Sequence, residues 1–320
     1  MRKGKGLIVP RWRIVFFGTP SFAIPCLEGL LQGSDEVVAV VTQPDREKGR
    51  GRKKSPSPVK EIALKHGVAV HQPEKVKEIS FLDAMKTLMP DLFVVVAFGQ
   101  ILPKPLLDIP RFGAVNVHGS LLPGYRGAAP IAWAILRGEK KTGITTMMMD
   151  EGMDTGNILM QAELPIEKED NGDTLQEKLS SLGAQLLTKT IEGMKAGSLS
   201  PKPQDHSKAT YAPPLKKEDG RIDWKKRAEE IDLQIRAFNP WPGAFTGWEK
   251  GLLKIYGGEV RKGTSPKEPG SILWVGSDFI EVATGDGSFL LRDVQPEGKR
   301  RMSARDFLSG HRISVGTIFH

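Results

Sequence analysis

Cysteine is nearly absent from this sequence, and long apolar runs are missing. Cys26 is the only cysteine among 320 residues, so no disulfide can form within the chain, and neither a CxxC pair nor a His/Cys cluster offers metal-ligand spacing. The basic start is followed by an apolar run from Gly6 to Val9 only, too short for export or for spanning a membrane. We expect a cytoplasmic protein in a reducing environment, and we expect catalysis without a metal.

A dinucleotide-binding motif is also lacking. The turn Gly18-Thr19-Pro20 does not have the G-x-G-x-x-G spacing that argues for a pyrophosphate, so we reject a nicotinamide cofactor. No internal repeat or low-complexity tract is present. With 39% hydrophobic residues over this length, the chain can bury a sizeable core and is expected to form two domains.

The net positive charge is unevenly distributed along the chain. The formal charge is +8 at pH 7, and basic residues crowd the start of the chain and the segment 43–60, whose only acids are Asp45 and Glu47. We call residues 43–60 the basic segment. A basic run is most often a solvated surface, but it can also bind phosphates, where each neutralised phosphate releases counterions. Composition alone leaves both interpretations open.

Continuous apolar strands separated by helical segments predict a doubly wound, Rossmann-like α/β domain with a mostly parallel sheet. A long helix beginning at Asp173, with Gln176 at the capping-box position, follows these strands. A right-handed crossover would place the carboxyl ends of the last two strands along one edge of the sheet. The predicted strands are 13–17, 37–42, 92–97, 114–118 and 143–149, and further helices are expected at 58–66 and 131–136.

The composition changes after residue 200, where scattered prolines and polar residues lack periodicity. A helix over 228–238 and short strands with glycine turns follow, which indicates a small β-barrel. We therefore divide the chain into a catalytic domain, 1–200, a linker, 201–214, and a carboxyl-terminal domain, 215–320.

Polar residues at the end of the strand 114–118 indicate a reactive site. Asn116 and His118 are two residues apart, so they share one face and point into the crevice where open α/β sheets bind ligands. An amide N–H can stabilise a developing oxyanion, and an imidazole can transfer a proton near neutral pH. The structural alternative is a hydrogen-bonded core histidine beside a turn-capping asparagine.

An acidic loop follows the next predicted strand and is expected to face the same crevice. A carboxylate there can orient the imidazole or hold a water for proton transfer. Asp150, Glu151 and Asp154 all compete for this role, and the chemistry of the residues does not choose among them.

Two motifs, NVHGSLLPGYRGAAP (116–130) and GITTMMMDEGMDTG (143–156), resemble the folate-dependent formyltransferase family. Four other segments resemble its methionyl-tRNA branch: FFGTPSFA, TQPDREKGRGRKKSPSPVK, VVVAFGQILP, and RIDW with IRAFNPWPGA. The resemblance implies that 10-formyltetrahydrofolate is the formyl donor and that Asn116, His118 and Asp154 perform the transfer. It also implies folate contacts from Ser120, Leu121, Leu122 and Pro123.

The same resemblance implies that initiator methionyl-tRNA is the formyl acceptor in a bacterial cytoplasm. The basic segment would reach the acceptor end of the tRNA, and the carboxyl-terminal domain would be a barrel of the oligonucleotide-binding type. The residues expected to bind tRNA are Arg46, Arg50, Arg52 and Lys53. We expect a monomer that does not associate with membranes.

Three other functions could use the same core residues. A formyltransferase acting on a small-molecule amine would share the core, but it would not need the basic segment. A hydrolase that releases formate would not need that segment either. A non-catalytic RNA-binding module is disfavoured by the intact Asn116, His118 and Asp154.

Gly124-Tyr125 departs from the larger or more basic residues that the resemblance leads us to expect there, so we assign no tRNA contact to Gly124.

Overall fold

The computed structural model describes residues 11–48, 53–263 and 267–320. Packing divides the chain into two compact units. The first unit extends to Gly127 and includes Thr142–Pro165 and Gln176–Tyr211, and the second consists of Ala128–Lys141, Ile166–Leu175 and Ala212–His320. The division into domains at 200 and 215 remains our proposal. Within the described ranges, no helix combines the length and the apolar composition needed to cross a bilayer.

The elements up to residue 195 are strands interspersed with helices. The strands are β1 (Arg13–Gly18), β2 (Glu36–Val41), β3 (Arg46–Lys48), β4 (Lys53–Ser55), β5 (Val70–His71), β6 (Leu92–Val96), β7 (Ala114–His118), β8 (Arg126–Gly127), β9 (Lys141–Met148) and β10 (Ile158–Pro165). The helices are α1 (Ile24–Gln32), α2 (Pro58–Lys65), α3 (Ile79–Thr87), α4 (Lys104–Leu107), α5 (Pro130–Leu136) and α6 (Gly172–Lys195).

Seven of these strands form one sheet in the order β10-β9-β7-β6-β1-β2-β5. The strands from β5 across to β7 run parallel. Their side chains are fully buried through the middle of the sheet, as at Phe16, Phe17 and Phe93, because helices cover both faces of such a sheet. The prediction of a doubly wound, mostly parallel α/β fold is confirmed.

The direction of β9 differs from our prediction. β9 runs antiparallel to β7, with Met148 beside Val115, so its carboxyl end lies next to the start of β7. The expectation that residues 143–149 end at the same edge as β7 was wrong. A fully buried strand is apolar throughout whichever way it runs, so its sequence pattern does not report its direction.

The amino-terminal cap of α6 lies two residues earlier than predicted. The Asn171 side chain accepts hydrogen bonds from the backbone N–H groups of Asp173 and Thr174, and the Thr174 hydroxyl accepts one from Asn171 N. This is a reciprocal capping box, and it replaces the one predicted between Asp173 and Gln176.

The remaining elements are mostly antiparallel strands of the second unit. They are β11 (Tyr211–Ala212), α7 (Ala228–Ala237), β12 (Ala244–Trp248), β13 (Gly251–Arg261), β14 (Ile272–Val275), β15 (Ile280–Ala283), β16 (Ser288–Pro296), β17 (Met302–Ser303) and α8 (Ala304–Gly310). The sheet order is β12-β13-β16-β15-β14, with β17 beside β16.

Residues 316–320 connect the two edges of this second sheet. Gly247 of β12 exchanges two backbone hydrogen bonds with His320, and Ile272 of β14 exchanges two with Gly316 and Thr317. These contacts close the antiparallel sheet into a small barrel. Its likeness to the oligonucleotide-binding type remains a prediction.

Candidate active site

Asn116 and His118 lie at the carboxyl end of β7, where the sheet exposes its ligand-binding edge. The two side chains share one face of the strand because they are two residues apart. Asn116 is half-buried, and the His118 side chain is only 6% exposed. A polar pair buried to this extent needs hydrogen-bond partners from elsewhere in the chain.

Asp154 approaches both side chains from the loop between β9 and β10 and is a hydrogen-bond partner of Asn116. Its Oδ1 accepts a hydrogen bond from Asn116 Nδ2 at 3.3 Å, and its Oδ2 lies 3.6 Å from His118 Nδ1. The backbone N–H of Gly127 also donates to Oδ2, at 2.8 Å. An amide, an imidazole and a carboxylate therefore converge at the end of β7. We call Asn116, His118 and Asp154 the strand-end trio.

The loop reaches the trio by folding back over the end of β9. Met148 N donates to Asn157 O, and Gly156 lies against the Met148 carbonyl so closely that an added Cβ would be 1.7 Å from that oxygen. Only glycine fits at this close approach. The fold-back compensates for the antiparallel direction of β9 and brings Asp154 to the correct edge of the sheet.

Two residues of the site have a left-handed backbone. Tyr125 has φ 60° and Asp154 has φ 54°, and each such non-glycine residue costs about 1 kcal/mol or more. The Tyr125 carbonyl accepts a hydrogen bond from His118 Nε2 at 3.0 Å. Because a carbonyl can only accept, this contact makes Nε2 the protonated nitrogen and leaves Nδ1 facing Asp154.

The other two acids of the loop are placed differently from Asp154. Asp150 Oδ1 accepts hydrogen bonds from Gly152 N and Thr155 Oγ1, so this carboxylate stabilises the loop itself. Glu151 is exposed. Among the described residues, no group of three or more histidine, cysteine, aspartate or glutamate side chains is arranged to hold a metal ion.

The segment from Ser120 to Pro123 is held from two neighbouring strands. Thr145 Oγ1 donates to Ser120 O and accepts from Leu122 N, and Gln161 Nε2 donates to Leu122 O. The side chains of Ser120 and Leu122 are buried, whereas Leu121 and Pro123 are half-buried. Direct side-chain contact with a ligand is therefore open to Leu121 and Pro123, while Ser120 and Leu122 support the backbone.

A cavity of about 550 Å³ lies outside the carboxyl ends of β1, β2 and β6. The chain order reverses between β1 and β6, which is the usual ligand crevice of an open α/β sheet. Apolar groups from Pro44, Pro58 and Phe98 line the cavity, and the exposed Arg46 lies at its border. Gln43 Nε2 also borders it, as a buried N–H group without a partner among the described residues.

The basic segment begins as a short antiparallel hairpin of β3 and β4. Of its predicted tRNA-binding residues, Arg46 is exposed on β3 and Lys53 is in β4, while Arg50 and Arg52 lie outside the described residues. Lys60 is less available to bind phosphates than the exposed Arg46, because its Nζ is paired with Asp45 Oδ2 at 2.6 Å.

Asp45, Lys60 and Gln72 form a cluster at the base of this hairpin. Lys60 Nζ donates to Asp45 Oδ2 and Gln72 Oε1, and Gln72 Nε2 donates to Asp45 Oδ1 and Gln43 O. The hydrogen bond from Lys60, followed by that from Gln72, lowers the pKa of the Asp45 carboxyl below its ordinary value. This cluster fixes the point where the basic segment leaves the sheet.

Sequence reasoning missed two buried residues next to the trio, Arg126 and Gln204. Arg126 is 2% exposed, and Gln204 is 7% exposed. Gln204 lies in the segment 201–214, which we predicted to be a linker, and Lys202 in that segment bridges to Ile158 of β10. Part of the segment is thus packed structure, and a single buried glutamine leaves no periodic signal that would reveal it.

Comparison with known proteins gives a consistent result for both parts of the chain. The formyl transferase family matches residues 12–191, and the formyl transferase carboxyl-terminal domain matches residues 214–312. The chain is 50% identical over 307 residues to a methionyl-tRNA formyltransferase of Trichlorobacter lovleyi, covering 96% of both chains. It is 49% identical to the protein of that name from Caldanaerobacter subterraneus, covering 96% of this chain and 99% of the relative.

A solved structure with a similar fold is WlaRD, a sugar 3N-formyl transferase determined with dTDP and 5-N-formyl-THF. It has a TM-score of 0.64 at 21% identity and covers 91% of this chain and all of its own length. At this identity the similarity concerns the fold. Family membership is shown by the two family matches and by relatives that are about 50% identical over nearly the whole chain. The chain belongs to the methionyl-tRNA formyltransferase family.

Proposed function

We propose that this formyltransferase moves the formyl group of 10-formyltetrahydrofolate to the α-amino group of methionine on initiator methionyl-tRNA. The name shared by relatives at about half identity supports the acceptor. The observation that carries the proposal is the convergence of Asn116, His118 and Asp154 at the ligand edge of the sheet. In this reaction the amine nitrogen bonds to the formyl carbon, the bond from that carbon to the folate nitrogen breaks, and one proton passes from the amine to that nitrogen.

Asn116 stabilises the charge that develops on the formyl oxygen. Its amide nitrogen has two N–H bonds, and Asp154 Oδ1 accepts one of them. The contact holds the amide plane, so that the second N–H is oriented before the reaction begins. A preorganised donor of this kind stabilises an oxyanion without reorganisation during the reaction.

His118 and Asp154 assist the transfer of the proton that leaves the attacking amine. His118 Nε2 is engaged by the Tyr125 carbonyl, and Nδ1 faces the Asp154 carboxylate. An imidazolium formed here is stabilised by both acceptors, and its positive charge adds to the stabilisation of the formyl oxygen. We propose that Asp154 also holds the water through which the amine proton leaves. No covalent intermediate with the enzyme is required.

The folate donor contacts the segment from Ser120 to Pro123 in this proposal. Leu121 and Pro123 have exposed side-chain surface for an apolar ring, and their backbone is fixed by Thr145 and Gln161. Ser120 contributes indirectly, because its hydroxyl donates to Gly124 O at 2.6 Å and so shapes the turn.

The tRNA acceptor end binds at the basic segment through Arg46, Arg50, Arg52 and Lys53. The cavity bordered by Arg46 lies on the same sheet edge as the trio, because β1, β6 and β7 are parallel. Its apolar lining suits a methionyl side chain, and the cation at its border suits a phosphate of the acceptor strand. We further propose that the protein works as a monomer in the bacterial cytoplasm.

One assay separates the candidate functions. The protein is incubated with 10-formyltetrahydrofolate and, in separate reactions, initiator methionyl-tRNA, elongator methionyl-tRNA, free methionine or an amino sugar nucleotide. We expect rapid formylation of initiator methionyl-tRNA alone. Preferred formylation of a small amine would overturn the proposed acceptor, and release of formate without any formylated product would identify a hydrolase.

A further inference from the structure

Arg126 is among the largest fully buried side chains of the described structure, and the mechanism above does not use it. A buried guanidinium is costly unless its N–H groups are well paired. Its side-chain acceptors are Gln204 Oε1 and His206 Nδ1, which are neutral when they accept. A buried cation paired only with neutral side-chain acceptors is not explained by its contribution to stability, and this indicates a functional role.

The position of Arg126 in the chain relates it to the trio. Its two neighbours both contact the trio through their backbones, since Tyr125 O accepts from His118 Nε2 and Gly127 N donates to Asp154 Oδ2. Fixing the Arg126 side chain therefore fixes the short piece of backbone that orients two of the three groups.

Gln204 joins this piece of backbone to the loop that carries Asp154. Its Oε1 accepts from Arg126 Nε at 3.1 Å and from Nη2 at 2.6 Å, so the guanidinium binds it through two nitrogens. Its Nε2 donates to Asp154 O at 2.9 Å and to Gly156 O at 2.8 Å. One buried amide thus connects a cation on one side to two loop carbonyls on the other.

We propose that Arg126 and Gln204 are positioning residues that hold Asp154 in its left-handed conformation toward Asn116 and His118. The inference rests on the proposed role of Asp154. A backbone angle of φ 54° is unfavourable for an aspartate, and the two bonds from Gln204 flank Asp154 through its own carbonyl and that of Gly156. The side chains of Arg126 and Gln204 are buried, so their role is to position other groups and not to contact the substrates directly.

The substitution Gln204→Glu tests this role because it changes only one side of the bridge. A glutamate keeps an acceptor for Arg126 and adds a favourable charge, but it cannot donate to the carbonyls of Asp154 and Gly156. We expect kcat to fall about 10- to 100-fold, as small misplacements of catalytic groups do, with KM for both substrates little changed.

Gln234→Glu is the matched control. Gln234 is also buried, at 4% exposure, and its Nε2 likewise donates to two backbone carbonyls, those of Asp219 and Arg221. We expect this variant to lose thermal stability but to keep its kcat below the melting temperature. Equal losses of kcat in the two variants would show a general stability effect and would overturn the inference.

A double-mutant cycle with Asp154→Ala distinguishes positioning of Asp154 from a purely structural role. It compares the effect of Gln204→Glu on kcat in the presence and in the absence of the Asp154 carboxylate. If Gln204 acts through Asp154, Gln204→Glu should reduce the kcat of the Asp154→Ala variant by less than about twofold. A full, independent reduction would overturn the positioning role. Normal turnover of Asp154→Ala alone would instead overturn the proposed function of the trio, so the two failures are distinguishable.

Arg126→Lys provides a second variant in case Gln204→Glu does not fold. Lysine keeps the charge but cannot bind Gln204 Oε1 through two nitrogens. We expect a smaller loss of kcat than for Gln204→Glu, again at nearly constant KM and again suppressed in the Asp154→Ala background. An unchanged kcat would overturn the role of Arg126.

Discussion

The strand-end trio and the basic segment differ in how their polar side chains are held. The side chains of His118 and Asp154 are 6% and 15% exposed, and both have hydrogen-bond partners within the protein. In the basic segment, Asp45 and Lys60 are paired at the base, while Arg46 is exposed.

This difference corresponds to two kinds of task. Group transfer loses rate steeply when a reacting group moves by an ångström, so its residues are fixed by neighbours. Phosphate binding depends mainly on the number of nearby cations and on salt, and it tolerates variation in geometry. Substitutions in the two regions should therefore affect different kinetic constants.

The largest effect is expected from His118→Ala and Asp154→Ala. Loss of a proton-transfer group or an oxyanion donor lowers kcat by about 10² to 10⁴, whereas KM for the tRNA should change little. Single-turnover formylation at several tRNA concentrations measures the rate and its dependence on tRNA. Thermal unfolding checks that the variants remain folded. Glu151→Ala, an exposed acid of the same loop, is the control and should keep its kcat. Near-normal turnover of either trio variant would show that the assignment is wrong.

A smaller and different effect is expected from Arg50→Ala. We expect KM for initiator methionyl-tRNA to rise about tenfold while KM for the folate donor stays constant, because one phosphate contact is lost. The plot of log kcat/KM against log salt concentration should become shallower by about one unit. Lys65→Ala removes the same charge from an exposed position at the end of α2 and serves as the control. An unchanged dependence of the rate on tRNA concentration would contradict the prediction.

Asp45→Asn should have a weaker effect on the same constant. The pKa of Asp45 is lowered by Lys60 and Gln72, so the folded carboxyl titrates below its unfolded value. The contribution of the cluster is therefore complete above the unfolded pKa and is lost as the pH falls through the lowered folded value. At neutral pH we expect Asp45→Asn to raise KM for tRNA only about two- to fivefold, as suits a partly exposed ion pair near the surface.

The pH dependence provides a further check on the Asp45 cluster. The parent enzyme should show the increase in KM only in acid, and the Asp45→Asn variant should show it at all pH values. Asp83→Asn breaks an exposed ion pair with Lys86 on α3, away from the basic segment, and should leave KM unchanged. Identical pH profiles of KM for the parent and for Asp45→Asn would remove the cluster from tRNA binding.

The sequence was most informative where burial is extensive. The strands β1, β2, β6 and β7 were predicted within one or two residues, because a short apolar run bounded by turn residues is typical of a buried strand. The positions of Asn116 and His118 followed from the two-residue period of a strand.

Features set by single contacts were not predictable. β10 was missed because its sequence is partly polar and its side chains alternate mainly between half-buried and exposed. The hairpin of β3 and β4 was missed because its residues are mostly charged. The fold-back that delivers Asp154 depends on Gly156 and on hydrogen bonds from Gln204, which come from a segment 50 residues away along the chain. Contacts between distant residues leave no local pattern.

The smallest effect on activity is expected from Trp248→Ala. The Trp248 ring packs edge-on against Phe307 at 5.2 Å and His311 at 5.4 Å, so it belongs to the packing of the carboxyl-terminal sheet. We expect this variant to lose about 2 kcal/mol of unfolding free energy. At temperatures where it is folded, its kcat/KM for tRNA should stay within about twofold of the parent value. Trp241→Ala, at a 57% exposed tryptophan, is the comparison and should cost less stability. If Trp248→Ala instead raised KM for tRNA as Arg50→Ala does, without loss of stability, this ring would stack on RNA and the second sheet would share in recognition.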